Sequence, residues 1–283
     1  MTYGNFNATD RENDPMKWTT RLAIGAAFAA LLSASAPAMA DIKIGVAAEP
    51  YPPFASKDAA GKWVGWEIDF ADALCAEVKE KCEIVPTAWD GIIPALTSKQ
   101  IDVIIASMLI KPKRKEVIDF TQFYYDTPPA VIGAKNGDMD ITPAHMKGKT
   151  IGVQVSTSHE EFSNKYLVPA GVELKVYPTQ DEANNDLAAG RLDYVLANSS
   201  ALVDFLATDQ GNGCCEMKSM LEKPKDDPGI YGEGVGAGVR KEDTALKDKL
   251  NAAITAMAKS GKLEEITKNY PQLVGKMTLP SGN

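Results

Sequence analysis

From residue 42 onward the chain alternates short runs of aliphatic residues with longer segments of helical periodicity. Ile42 to Val46, Ile84 to Pro86, Ile101 to Ala106, Thr150 to Val153, Leu174 to Tyr177 and Leu192 to Ala197 are predicted strands. Nearly unbroken apolar runs of that length suit strands covered on both faces. Helices are predicted at Glu67 to Val78, Gly91 to Ser98, Ser158 to Tyr166, Gln180 to Ala189 and Glu242 to Ser260. Strands alternating with helices specify an α/β protein with parallel sheets.

The pattern repeats itself. Lys43-Ile44-Gly45-Val46 recurs as Thr150-Ile151-Gly152-Val153, and the helix, turn and strand of Ala95 to Ala106 recur in Asp186 to Ala197, with Ile101-Asp102 matched by Leu192-Asp193. The copies keep their order at separations of 91 to 107 residues, too long for a solenoid, so they predict two similar lobes. Proline punctuation at Asp126 to Pro129 marks one crossing between lobes, and Pro224 to Gly232 marks a second, before a small-residue strand at Gly234 to Val239. The expected division is residues 1–40 as a leader, 41–127 as the first part of lobe one, 128–230 as lobe two, and 231–283 returning to lobe one. Two crossings make a hinge. In open parallel sheets ligands bind beyond the carboxyl ends of strands. The candidates are therefore Ala47 to Tyr51 and Ser107, Met108 and Leu109 in lobe one, with Gln154 to His159 and Asn198 to Ser200 in lobe two.

Composition changes the picture in two ways. Thirty Lys and Arg face 38 Asp and Glu, and no basic run is interleaved with aromatics, so no nucleic-acid partner is expected. The N-terminus reads as an export signal, with a positive segment around Lys17 and Arg21, an apolar run from Leu22 to Leu32, and Ala38-Met39-Ala40 before a mature start at Asp41. The polar stretch Met1 to Pro15 precedes that basic segment, which suggests a translation start at Met16. The apolar run is too short to span a bilayer, and a soluble, periplasmic product is expected. Export places the four cysteines in an oxidising compartment. Cys75 and Cys82 lie at the end of a helical pattern and the start of a strand, where a turn brings them together as a disulfide. Cys214 and Cys215 stay unassigned, because adjacent Cα atoms are about 3.8 Å apart, below the usual disulfide span. His145 and His159 are the two histidines, and neither has metal-ligand spacing from a cysteine. No metal and no cofactor are expected.

Several fragments in fixed order resemble the family 3 extracellular solute-binding proteins of ABC importers, on the branch that binds histidine, lysine, arginine and ornithine. They include Tyr51-Pro52-Pro53-Phe54, Val64-Gly65-Trp66-Glu67-Ile68-Asp69, the Cys75 and Cys82 pair, Trp89-Asp90-Gly91-Ile92-Ile93-Pro94-Ala95-Leu96, Lys113-Arg114 ahead of Ile118-Asp119-Phe120-Thr121, Gly190-Arg191-Leu192-Asp193 and Arg240-Lys241-Glu242-Asp243. The resemblance spans Ile42 to about Tyr270. It implies two Rossmann-like α/β lobes joined by a two-segment hinge, the type II periplasmic binding protein fold, closing on a small ligand. It also implies a monomer that hands this ligand to a membrane permease of an ABC importer.

The resemblance gives roles to particular residues. Arg114 matches the arginine that grips the ligand carboxylate, as a guanidinium does with two parallel charge-assisted bonds; the plainer alternative is a surface charge in the Lys111 to Lys115 cluster. Ser158 matches a backbone N–H donor to the same carboxylate, and Glu161 three residues on suggests a capping box. Tyr51 and Trp89 match the aromatic pair that sandwiches the ligand side chain, with Asp90 expected to cap the helix after Trp89. Core packing is the alternative for Trp89.

Three departures concern the ligand's amino group. Asn198 stands in place of an aspartate, Leu109 in place of a serine, and Ala48 in place of a further aspartate, with Glu49 adjacent. Ser107 and Asn198 still offer neutral hydrogen bonds. The carboxylate clamp is expected to be intact and the ammonium clamp weakened. The expected function is capture of an amino acid or related amino- or guanidino-carboxylate for import, without catalysis. An alternative is a cyclohexadienyl dehydratase-like enzyme on the same scaffold, with Glu49 as the nearby acid.

Overall fold

The computed structural model describes residues 41–282. The predicted export signal, its cleavage point and the Met16 start all lie outside the described residues.

The first sheet is opened by β1 (Ile42–Ala47). A short hairpin of β2 (Ser56–Lys57) and β3 (Trp63–Val64) leads into α1 (Trp66–Val78), which is followed by β4 (Cys82–Thr87), α2 (Ile92–Thr97), β5 (Val103–Ile104), α3 (Pro112–Lys115) and β6 (Asp119–Tyr125). The second sheet comprises β7 (Pro129–Ala134), β8 (Thr150–Gln154), β9 (Glu173–Tyr177), β10 (Tyr194–Asn198) and β11 (Cys215–Met220). Its helices are α4 (Ser158–Phe162), α5 (Gln180–Ala188), α6 (Ser199–Ala207) and α7 (Asp209–Cys214). The chain then returns through β12 (Val235–Val239), α8 (Thr244–Ser260) and α9 (Lys262–Lys268).

Strand order is β4-β1-β5-β12-β6 in one sheet and β11-β7-β10-β8-β9 in the other. In each, three parallel strands are extended by one antiparallel strand, β12 or β7, and an edge strand, β6 or β11, that again runs with the first three. The two orders mirror each other, so the repeated sequences occupy equivalent places. Asp102 accepts a bond from the Lys43 N–H at 3.1 Å, and Asp193 accepts one from the Thr150 N–H at 2.8 Å. Each repeated aspartate thus ties the end of a helix–turn to the equivalent central strand of its lobe, β1 or β8. Gly45 and Gly152 are equivalent as well: a Cβ at either would overlap the side chain of Ile101 or Leu192, the residue before that aspartate. The repeat encodes this packing, which only glycine permits.

Lobe one is closed by the returning segment. Trp66, Phe70, Tyr124 and Tyr125 form a buried aromatic stack, with ring centroids 4.3 Å apart for Phe70 and Tyr124, and Trp66 Nε1 donates to Thr267 Oγ1 of α9 at 2.9 Å. Cys75 and Cys82 are joined, with Cα atoms 6.2 Å apart across a turn in which Lys79 takes a left-handed φ of 58°. The adjacent pair Cys214 and Cys215 is also joined in the structure.

The structure differs locally from the sequence pattern. The expected helix Ser158 to Tyr166 stops as α4 at Phe162 and continues as a wider π-helical turn, Ser163–Leu167. In the expected strand Ile101 to Ala106 the regular strand is Val103–Ile104, flanked by bonds from the Asp102 and Ile105 N–H groups to the Lys43 and Gly45 carbonyls of β1. Asp90 is not the cap of α2, whose N-cap is Gly91 without a side-chain bond.

Candidate functional site

The carboxyl ends of the parallel strands of both sheets face one cleft. A cavity lies within it, lined from both lobes. From lobe one it is lined by Ala47, Glu49, Pro50, Tyr51, Ala55, Glu67, Trp89, Ala106, Ser107, Leu109 and Arg114. Lobe two contributes Gln154, Thr157, Ser158, His159, Gln180 and Asn198. Ten of the eleven predicted ligand residues are therefore brought together. Met108 is the exception. It is 1% exposed in the core of lobe one, where its apolar side chain packs with Ile92, Leu96 and Ile118 while its neighbours Ser107 and Leu109 line the cavity.

Arg114 stands at the junction of the lobes. Its NH1 donates to the Leu109 carbonyl at 3.0 Å and its NH2 reaches across the cleft to the Ser156 carbonyl at 3.2 Å. The guanidinium lies 5.5 Å from the Trp89 ring. Burial draws its pKa down to about 10, so it remains a cation at neutral pH. Trp89 itself bridges the lobes, its Nε1 donating to the Val155 carbonyl at 2.9 Å, while its backbone N–H donates to Glu49 at 3.1 Å. A third bridge pairs Lys111, 5% exposed, with Glu161 of α4. These three contacts reach from Trp89, Lys111 and Arg114 of lobe one to a single short stretch of lobe two, Val155 to Glu161, and hold the closed arrangement.

The N-terminus of α4 is offset by one residue from the expected capping box. The sequence Thr157-Ser158-His159-Glu160-Glu161 holds two overlapping capping frames, and the earlier one is used: Thr157 Oγ accepts from the Glu160 N–H at 3.2 Å. Ser158 is thereby released from capping. Its hydroxyl and the Nδ1 of His159, both buried on the cavity wall, have no hydrogen-bond partner within the protein. Buried polar groups are normally satisfied, so these two are the groups a bound molecule would engage. Burial pulls the His159 pKa down to about 3, keeping the imidazole neutral.

Asn198 follows the same logic. It is the N-cap residue of α6, a position where asparagine ordinarily binds the helix N–H groups, yet its side chain does not cap. It is turned into the cavity, within reach of the Tyr51 hydroxyl and the His159 ring. Ser107 has a left-handed φ of 52°, uncommon for a residue with a side chain and worth about 1–3 kcal/mol of strain. The surroundings enforce it, since both its N–H and its hydroxyl are bound to Glu67. Thr157 falls within the expected range Gln154 to His159, whereas Glu67 and Gln180 line the cavity although the sequence patterns did not single them out as ligand residues. Gln180 opens α5 just past β9, so the rule that placed Asn198 after β10 would have found it. Glu67 belongs to a helix pattern and carried no such signal.

The described residues contain no helix long and apolar enough to cross a membrane, and no group of three or more His, Cys, Asp or Glu side chains that could hold a metal ion.

Comparison with known proteins agrees with this architecture. The L-arginine-binding protein of Pseudomonas aeruginosa is 42% identical over 230 residues, covering 81% of this chain and 87% of that protein. The histidine-binding periplasmic protein of Salmonella typhimurium is 36% identical over 254 residues, covering 88% and 96%. Among solved structures, an ancestral arginine-binding protein bound to arginine superposes with a TM-score of 0.73 at 32% identity, covering 82% of this chain and 98% of that one. Residues 42–272 match a single family across both lobes and the return segment, and the chain belongs to the bacterial extracellular solute-binding proteins, family 3.

Proposed function

We propose that the protein is a periplasmic receptor that captures an amino acid, or a related amino- or guanidino-carboxylate, between its lobes and delivers it to the permease of an ABC importer. The observation that carries this reading is Arg114. Two of its five N–H donors are used on backbone carbonyls, one from each lobe, which leaves three for the cavity. A cation so placed fits a ligand carboxylate, and its bond to Ser156 couples capture to closure. The unpartnered Ser158 hydroxyl lines the same cavity from lobe two. Tyr51 and Trp89 supply flat apolar surface for the carbon chain between the ligand's polar ends.

Export by a cleaved leader, action as a monomer and the lobe division given above belong to the same proposal. An elimination enzyme on this scaffold would need a positioned acid, and the nearby Glu49 carboxylate accepts the Trp89 N–H through one of its oxygens. Thermal melting of the purified protein against amino acids, N-substituted amino acids, guanidino-carboxylates and prephenate tests the proposal. A ligand present at 100 times its Kd stabilises by about 2.7 kcal/mol. Stabilisation by one or a few amino- or guanidino-carboxylates is expected, and turnover of prephenate would replace this reading with the enzymatic one.

A further inference from the structure

The second crossing between the lobes is anchored at both ends. Asp227 pairs with Lys165 at 2.8 Å and Asp226 accepts the Tyr166 hydroxyl at 2.9 Å, both partners belonging to the π-helical turn that continues α4. Toward lobe one, the Glu233 N–H donates to the Ile110 carbonyl at 3.1 Å and the Ile110 N–H donates to the Gly234 carbonyl at 2.8 Å. Gly232 stands at this second anchor with a φ of 60°, and a Cβ there would overlap the Ile110 carbonyl, so only glycine fits. Between the anchors lie Pro228–Ile230, a single tight turn, and Tyr231. A rotation of one lobe against the other is absorbed by a few such residues.

Tyr231 is 1% exposed and belongs to the apolar core of lobe one with Leu109, Ile230 and Val235. Its ring centroid also lies 5.6 Å from that of His159 and 5.6 Å from that of Phe162, both in α4 of lobe two. One buried ring at the pivot therefore touches both lobes, and one of its neighbours, His159, lines the ligand cavity. The turn after α4 adds to this. Its wider winding carries an extra residue, and Phe162, Lys165 and Tyr166 all contact the crossing, with the Phe162 and Tyr166 rings 5.0 Å apart. The helix thus has its start in the cavity wall and its continuation on the hinge.

We propose that Tyr231 is a positioning residue for ligand capture, which sets the angle at which the lobes close and passes the occupancy of the cavity, felt at His159, to the hinge. The contacts of Lys165 and Tyr166 clamp the segment that carries it. The inference rests on the reading of the protein as a receptor that closes on its ligand, and it adds where the closing motion is governed. Tyr231 is not among the residues lining the cavity, so it acts through His159 and the hinge rather than on the ligand. Contacts made in the closed arrangement and lost on opening shift the closing equilibrium, and with it the affinity, without touching the bound molecule.

Stopped-flow binding of L-arginine and L-histidine, with small-angle X-ray scattering of the saturated protein, tests the two halves of the inference. Tyr231→Leu keeps an apolar side chain and removes the ring; it should speed ligand release about tenfold, leave association within about twofold, and give the saturated protein a larger radius of gyration than saturated wild type. Tyr231→Phe keeps the ring and drops a hydroxyl that has no partner in the protein, so release should stay within about threefold of wild type. Tyr166→Phe removes only the bond to Asp226 and should raise release about two- to threefold. Release in Tyr231→Leu within twofold of wild type overturns the inference, and so does faster release at an unchanged radius, which would reduce Tyr231 to a support for His159. If Tyr231→Leu fails to fold, Tyr166→Phe and Lys165→Gln decide, and release unchanged in both overturns the inference. If the wild type binds neither amino acid, the receptor reading for them falls and takes the inference with it, whereas tight binding untouched by these variants strikes the inference alone.

Discussion

Replacing Arg114 by lysine keeps the charge and removes the fork. In the structure NH1 and NH2 hold the Leu109 and Ser156 carbonyls at 3.0 and 3.2 Å, and Arg114 lines the ligand cavity. A lysine ammonium reaches one of these places and cannot hold a carboxylate with two parallel bonds. The loss of one charge-assisted bond is worth about 1.5–3 kcal/mol, which corresponds to about a 10- to 150-fold rise in Kd. Folding should suffer less, by about 1 kcal/mol for the Leu109 contact. The burial that draws the guanidinium down to about 10 acts on a lysine whose ordinary pKa is already near 10.4. The variant's ammonium should therefore deprotonate within the working range, and its deficit in affinity should grow between about pH 7 and 9 while wild-type binding stays flat. Calorimetry at several pH values, with thermal melting of the ligand-free protein alongside, measures both effects. An unchanged Kd at every pH would remove Arg114 from the site, and a fall in stability as large as the fall in affinity would make its role structural.

Four further outcomes are expected. The His159 imidazole is held neutral down to about pH 3, whereas in the unfolded chain it protonates near 6.5; its contribution to stability is complete above 6.5 and declines as pH falls toward 3, by up to about 1.4 kcal/mol per pH unit, and His159→Gln should flatten that part of a denaturant-stability profile. Glu161→Gln leaves Lys111 buried without its carboxylate, and stopped-flow binding should show a several-fold faster ligand release with little change in association rate. Asn198→Asp adds a carboxylate near Tyr51 and should favour lysine, arginine or histidine over desamino analogues by a further factor of about three to ten in competition titrations. Peptide mapping of the protein purified from the periplasm should show Cys75 linked to Cys82, with reduction lowering stability by about 2 kcal/mol for so short a loop; free, alkylatable thiols would contradict it.

What the sequence reveals divides along physical lines. Central parallel strands such as β1, β8 and β10 are buried on both faces and read as apolar runs. The repeated glycine and aspartate pairs exposed the lobe symmetry because their roles are local. The edge strands β6 and β11 carry mixed patterns, Asp119 to Tyr125 and Cys215 to Met220, and were not predicted; β7 begins at Pro129, where proline signalled only a crossing. The strand-end rule located Ser107, Gln154 and Asn198 but could not tell which of Ser107, Met108 and Leu109 face the cavity, since the left-handed turn at Ser107 depends on Glu67, forty residues away. The offset in the α4 cap was a choice between two adjacent frames of equal sequence quality. Glu67 was hidden because nothing in a helical pattern tells a carboxylate aimed into a cavity from one on a solvated face.

The most direct measurement is a crystal structure of the protein with the best-binding amino- or guanidino-carboxylate from the thermal screen. The account predicts the ligand carboxylate in two parallel bonds of about 2.7–2.9 Å to Arg114, with its amino group against Ser107 and Asn198 and its carbon chain between Tyr51 and Trp89. A ligand bound the other way round, or held outside this cleft, would contradict it.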